Sequence, residues 1–282
     1  MRIDQLLVER GLAASRSQAQ RLIAGGVQWQ QPDGTWRAIV KNRDEVPESA
    51  ALELLDDAES RYVSRGGLKL EGALKVTGAQ VEGLRCLDVG QSTGGFTDCL
   101  LQQGAAQVVG IDVGHAQVHP RIREDERVVC IEGVNARELE PGDERVPDAL
   151  EGFDLMVGDV SFISLTLVLP GVVHLLKPTG QLLMLVKPQF ELQPGQVGKG
   201  GIVKDESLYG FIENRVRTAL TDLGMQVTAW LNSPIEGGDG NREFFVQACW
   251  PDPAAVLPAR EDARLAHEAD LAAKAYAKAN DY

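Results

Sequence analysis

The sequence predicts an α/β body, a mostly parallel sheet with helices on both faces, preceded by a small α+β unit. Three observations predict it. From residue 85 onward, short aliphatic runs alternate with helical stretches, as in a parallel sheet with crossover helices. One run, Arg85-Cys-Leu-Asp-Val89, passes straight into the glycine-rich turn Gly90-Gln-Ser-Thr-Gly-Gly95. Charge also divides unevenly. Residues 1–43 carry seven Lys/Arg against three Asp/Glu, and the remainder carries 21 against 38, so a basic unit precedes an acidic body within a net charge of −13.

The elements follow in order. Ile3, Leu6, Leu7 and Leu12 give a short helix with one apolar face, interrupted at Gly11. Ser15 or Ser17 caps a second helix, which stops at Gly25-Gly26. Val27–Trp29 and Trp36–Val40 flank Pro32-Asp-Gly34 and read as a hairpin, with Leu52–Leu55 as a further strand. Residues 56–61 read as a linker. An amphipathic helix carries Leu68, Leu70, Ala73 and Leu74. Strands are then expected at 85–89, 107–112, 127–131, 153–157 and 181–186, with helices at 94–103, 165–176 and 206–223. Strands at 225–231 and 243–249 are consecutive, which implies an antiparallel addition at one sheet edge. The domains expected are 1–60, 61–250 and a tail over 251–282 whose stretch 259–279 has helical character.

Several functional classes are disfavoured. The four cysteines, Cys86, Cys99, Cys130 and Cys249, show no metal-ligand spacing and read as reduced core thiols, so no metal is expected. The longest apolar stretch, Leu165–Leu176, contains Pro170 and His174 and is too short to span a bilayer. Arg2 and Asp4 break any apolar leader. The expectation is a cytoplasmic protein with no membrane partner; the oligomeric state is left open.

The turn after the first body strand needs small residues so that backbone can approach a ligand, and the helix that follows aims its N-terminal amides at it. Expected cofactor contacts are Asp88, Gly90, Ser92, Thr93, Gly94, Gly95, Phe96 and Thr97. Asp112, at the end of the next strand, can accept hydrogen bonds from a ribose diol, with Val113 beside it. The order Gly90-x-x-x-Gly94-Gly95, with Asp88 two residues earlier, departs from the dinucleotide fingerprint Gly-x-Gly-x-x-Gly. Residues 85–112 therefore read as the cofactor-binding half of a Rossmann-like methyltransferase, with S-adenosylmethionine favoured over a dinucleotide. Asn135 is either an adenine contact or a turn-former.

Six stretches stand in a telling order: Tyr62-Val-Ser-Arg-Gly-Gly-Leu-Lys-Leu70, Asp88–Asp98, Asp159-Val-Ser-Phe-Ile-Ser164, Val186-Lys-Pro-Gln-Phe-Glu191, Val197-Gly-Lys-Gly-Gly-Ile-Val203 and Gly240-Asn-Arg-Glu-Phe244. This series closely resembles the TlyA (haemolysin A) family over about residues 1–250. The resemblance implies an S4-type RNA-binding domain joined to an FtsJ-like class I methyltransferase domain with a seven-stranded sheet. It implies 2′-O-methylation of cytidine in ribosomal RNA from S-adenosylmethionine. Short forms of the family are associated with the large-subunit RNA, and Met1 directly precedes Arg2 here, which favours that RNA and leaves the small subunit open. A noncatalytic assembly factor and a membrane-active haemolysin are the alternatives.

The resemblance also implies a catalytic tetrad, which falls on Lys69, Asp159, Lys187 and Glu243. A ribose hydroxyl is a poor nucleophile until it loses its proton, and a free Lys, with a pKa of about 10.4, is a poor base at neutral pH. Burial and a second cation would depress Lys187, while Asp159 and Glu243 would orient the ammonium groups. Phe190 is expected either to stack on a flipped-out base or to lie in the core. Residues 195–201 read as a mobile loop near the site. Arg2, Arg16, Arg21, Arg37, Lys41, Arg43 and Arg65 are the expected RNA contacts, meeting phosphate rather than bases. The chain departs from the family pattern at Gly26-Val27, which lacks a preceding basic residue, at Gln91, where a small residue is usual, and at Glu236 and Asp239, which add acid near Glu243.

Overall fold

Residues 1–13, 15–54, 61–147 and 151–252, with residues 254, 265 and 269, are described in a computed structural model of the protein. The helix expected at 259–279 and nearly all of the linker expected at 56–61 lie outside the described residues. The chain forms two compact units, Met1–Leu68 and Lys69–Tyr282.

The N-terminal unit holds α1 (Ile3–Glu9) and α2 (Arg16–Gly26), then β1 (Val27–Gln30), β2 (Trp36–Ala38) and β3 (Leu52–Leu54). Ser15, not Ser17, caps α2 by accepting the Gln18 amide at 3.2 Å. The turn between β1 and β2 closes because Asp33 accepts the Thr35 amide at 2.9 Å. The strands form an antiparallel sheet in the order β2-β1-β3, so the third strand pairs with the first rather than extending the hairpin. The apolar faces of both helices bury Ile3, Leu7 and Leu22 in one small core with Val27 of β1, Ile39 and Val46.

The body contains α3 (Gly66–Thr77), β4 (Arg85–Val89), α4 (Gly95–Gln102), β5 (Gln107–Asp112), α5 (Pro120–Arg123), β6 (Val128–Glu132), β7 (Phe153–Gly158), α6 (Leu165–Val172), β8 (Leu176–Val186), α7 (Pro188–Glu191), α8 (Leu208–Asp222), β9 (Gln226–Asn232) and β10 (Phe244–Cys249). The sheet runs β6-β5-β4-β7-β8-β10-β9, with β10 antiparallel to both neighbours and the remaining pairs parallel. The central strands are apolar almost throughout because both faces are covered. The chain leaves β4 toward one edge and returns at β7, so the crevice past the carboxyl ends of β4 and β7 is the switch point where such sheets bind ligands.

One expected element is shorter. The helix from Leu165 ends at Val172, a 3₁₀ turn follows over Val173–Leu175, and β8 begins at Leu176, five residues before the expected strand start at Gln181. Pro170 sits inside this helix, where it removes the amide that would bond the Thr166 carbonyl, and beyond the 3₁₀ turn Leu176 pairs with Phe153. No helix among the described residues is long and apolar enough to cross a membrane.

Candidate active site

The loop after β4 turns tightly because three of its residues adopt left-handed backbone: Gly90 (φ +82°), Ser92 (φ +50°) and Gly94 (φ +96°). At Gly90 a Cβ would also come within 3.1 Å of the Asp159 carbonyl, so glycine lets the β4 loop close onto the end of β7. The loop borders a cavity of about 310 Å³ lined by Gly90, Ser92, Asp112, Val113, Asn135 and Asp159, with Gly114, Gln117, Ser161 and Phe162.

Asp112 is held rigidly. One carboxylate oxygen accepts the Ser92 amide and the other the Gly114 amide, each at 2.7 Å. Val113 beside it is exposed, an apolar surface at the cavity wall. The Asn135 amide works within its own turn, accepting from the Arg137 amide at 3.2 Å and donating to Glu138 at 2.9 Å, while the residue still lines the cavity. Asp88, Thr93, Gly94, Gly95, Phe96 and Thr97 do not line it. Phe96 is core, stacked on Phe245 with ring centroids 6.1 Å apart. Thr97 is buried and donates its hydroxyl to Asp88 Oδ2 at 2.7 Å. The other Asp88 oxygen is buried with no hydrogen-bond partner. Burial pushes the Asp88 carboxyl up to about 7, the Thr97 hydrogen bond opposes that, and the Asp159 charge adds to it.

The four residues of the expected tetrad come together. Lys69 on α3 lies 2.5 Å from Glu243, which precedes β10, and Lys187 at the end of β8 lies 2.5 Å from Asp159 at the end of β7. The Lys187 ammonium also donates to Ser161 Oγ at 2.6 Å. Burial raises the Glu243 carboxyl above its usual range even though Lys69 lowers it; Asp159 and Lys187 act on it as well, so the four form one electrostatic cluster. Close packing holds Lys69 and Glu243 in place. A Cβ at Gly72 would strike Pro234 at 2.6 Å, and one at Gly237 would strike Glu243 at 2.7 Å. Two ammonium groups set against two carboxylates at the carboxyl edge of the sheet can hold a neutral hydroxyl and manage its proton.

Three features of the site are not apparent from the sequence. Phe162 is 90% exposed, lines the cavity and carries a left-handed backbone (φ +65°) that a bulky residue rarely adopts. Phe190 packs against it with centroids 5.4 Å apart, so the ring open to solvent is Phe162. Glu191 is buried and accepts the Ser164 hydroxyl at 2.5 Å and the Leu165 amide at 2.6 Å, binding the Asp159–Ser164 loop to the Lys187–Glu191 turn. The loop expected to be mobile at 195–201 forms short 3₁₀ turns, and Asn241 anchors it by donating to the Gly201 carbonyl and accepting the Val203 amide, both at 2.9 Å. Acidic Asp239 is drawn into the same framework, accepting from Gln189 and Asn241 at 2.9 Å each.

In the N-terminal unit, Arg37, Lys41 and Arg43 are exposed. Arg2 and Arg16 are instead tied to buried Asp4, at 2.8 and 3.1 Å. Burial raises the Asp4 carboxyl and the two guanidiniums outweigh that, leaving it below the usual range. Arg65 is half-buried, and the Arg21 side chain lies outside the described residues.

The FtsJ-like methyltransferase family profile matches residues 62–249, and the S4 domain profile matches residues 1–26. The chain is 44% identical over 246 residues to the 16S/23S rRNA (cytidine-2′-O)-methyltransferase TlyA of Mycobacterium tuberculosis, covering 87% of this chain and 88% of that one. It is also similar to two solved structures named as hemolysins. The one from Streptococcus thermophilus is 37% identical with a TM-score of 0.66, covering 96% of this chain and 98% of its own. The one from Lactococcus lactis is 45% identical with a TM-score of 0.63, covering 67% of this chain and 88% of its own. With its switch-point cavity and paired Lys–carboxylate cluster, the chain belongs to the FtsJ-like methyltransferase family, within its TlyA group.

Proposed function

We propose that the protein uses S-adenosylmethionine to methylate the ribose 2′-hydroxyl of cytidine in ribosomal RNA. The observation that carries the reading is the Lys69–Glu243 and Lys187–Asp159 cluster beside the switch-point cavity. The name of the Mycobacterium tuberculosis relative supports the substrate.

The residues present fit the cofactor. The cavity offers Asp112, fixed by two backbone amides, to a ribose diol and the exposed Val113 to an adenine face. Asp88 does not line the cavity, but it adjoins the lining residues Val89 and Gly90 and keeps one carboxylate oxygen buried and unpartnered, which suits the cationic methionine end. Bound there, S-adenosylmethionine supplies a methyl group already activated by sulfonium charge.

The chain's own residues do the rest. Lys187, steered by Asp159 and Ser161, meets the ribose hydroxyl and guides its proton away. Lys69 and Glu243 hold the second side of the cluster and keep its charge balanced. Phe162 offers an exposed ring on which the target base stacks once it leaves its helix. Arg37, Lys41 and Arg43 give the N-terminal unit a basic surface for RNA phosphates, whereas the body carries net negative charge.

The test is to incubate the purified protein with S-adenosylmethionine and ribosomal subunits and to map 2′-O-methyl groups on both rRNAs. A new 2′-O-methylcytidine is expected. Methyl groups found on bases, or none on RNA, would refute the reading.

A further inference from the structure

Asp88, Gly110 and Cys130 stand in one row across three neighbouring strands, since Asp88 pairs in register with Gly110 on β5 and Gly110 with Cys130 on β6. Residues in one row of a parallel sheet face the same side. Above the middle of that row lies the side chain of Gln91, only 3% exposed. It fits there because position 110 has no side chain. A Cβ on Gly110 would sit 2.0 Å from Gln91 Cδ, and its three nearest atoms all belong to that one amide group.

The notch fixes the direction of a hydrogen-bond relay. Gln91 Nε2 donates to Thr97 Oγ1 at 3.0 Å, and Thr97 Oγ1 donates to Asp88 Oδ2 at 2.7 Å. A threonine hydroxyl has one proton. With the amide donating to its oxygen, that proton is aimed at the carboxylate. The second carboxylate oxygen, Asp88 Oδ1, is also buried and has no hydrogen-bond partner.

We propose that Gln91 is a positioning residue for cofactor binding, one that, seated in the Gly110 notch, directs the Thr97 hydroxyl onto Asp88 and holds the free carboxylate oxygen ready for the cofactor's cationic end. The inference rests on the reading that this protein binds S-adenosylmethionine. It also accounts for a glutamine in a turn otherwise built of small residues. Neutral packing alone would not need the donor, because an apolar side chain of the same length fills the notch equally well.

The groups that face Asp88 set the consequence for pH. Asp159 beyond β7 and Asp112 at the end of β5 are both acidic and raise its carboxyl, and the Cys130 thiol on β6 is a further hydrogen-bond partner of Gln91. The Thr97 hydrogen bonds oppose this rise. Without Gln91 the hydroxyl is free to turn away, Asp88 ionises at higher pH, and cation binding shifts with it.

The experiment measures the dissociation constant of S-adenosylmethionine from pH 6 to 9 by calorimetry on the full chain. Gln91→Met keeps the volume and removes the donor. It is expected to bind about tenfold more weakly at pH 7, the scale of one hydrogen bond to a charged group, with its binding midpoint moved to higher pH. Thr97→Val is expected to do the same, and Q91M/T97V to be no worse than T97V, whereas Thr97→Ser, which keeps the hydroxyl, binds as the wild type does. Gly110→Ala is expected to weaken binding in the wild type and to have no further effect in Gln91→Ala, where the methyl has room. Wild-type affinity and midpoint in Gln91→Met, or additive losses in the double variants, would overturn the proposal while leaving the cofactor reading intact. A wild-type protein that binds no S-adenosylmethionine overturns both.

Discussion

The Glu191 carboxylate on α7 receives the Ser164 hydroxyl on one oxygen and the Leu165 amide on the other, so one buried acid caps α6 and joins the loop bearing Asp159 to the turn after Lys187. Glu191→Ala strands two buried donors and is expected to cost about 2–3 kcal/mol of stability, read as a lower denaturation midpoint. Glu191→Gln keeps one acceptor and should lose less. In both, kcat should fall more than cofactor affinity, because the loops that move carry Lys187 and Asp159.

Lys69 and Glu243 are both largely buried and lie 2.5 Å apart. Removing one partner leaves an uncompensated charge inside the protein. Lys69→Met should therefore destabilise by about 3 kcal/mol or more, whereas K69M/E243M should recover much of that loss. Neither variant should transfer methyl groups at a measurable rate. Recovery of activity in the double variant would show that the pair serves packing alone.

Burial lifts the Asp88 carboxyl from 3.8 to about 7, which ties the stability of the ligand-free protein to pH. An acid whose pKa is higher folded than unfolded holds its proton better in the folded chain. Its contribution is fully present below the ordinary carboxylate range and is lost as pH rises toward 7, by an amount on the order of 4 kcal/mol. Asp88→Asn should flatten that decline in a series of unfolding curves from pH 4 to 8. It should be more stable than the wild type at pH 8 and bind S-adenosylmethionine poorly.

The exposed Arg37, Lys41 and Arg43 should act on RNA affinity alone. Replacing all three with alanine is expected to weaken rRNA binding and to make the slope of log K against log salt shallower by about two to three. Cofactor affinity should not change. An unaltered salt slope would place RNA contact elsewhere on the protein.

Much of this was legible in the sequence. The central strands announce themselves as apolar runs because the sheet is covered on both faces, and the turn after β4 is written in glycines that its backbone requires. Relationships made only by tertiary register stayed hidden. Gln91 looks out of place until Gly110 is found beneath it, a neighbour supplied by strand pairing. Arg2 and Arg16 read as phosphate contacts, yet Asp4 holds both, because charge counts do not reveal a buried partner. Phe162 sits in the Asp159–Ser164 motif, but its exposure and backbone strain belong to the folded loop. Leu176–Gly180 lacks a strand pattern; Leu176 pairs with Phe153, and the register then shifts before the ladder with β7 resumes at Gln181.

The central claim is that Lys187, held 2.5 Å from Asp159, manages the proton of the attacking ribose hydroxyl. The direct measurement is single-turnover methyl transfer to rRNA by Lys187→Ala with S-adenosylmethionine saturating, alongside its cofactor dissociation constant. The rate is expected to fall by about a hundredfold or more, with cofactor affinity unchanged. Transfer at the wild-type rate would contradict the account.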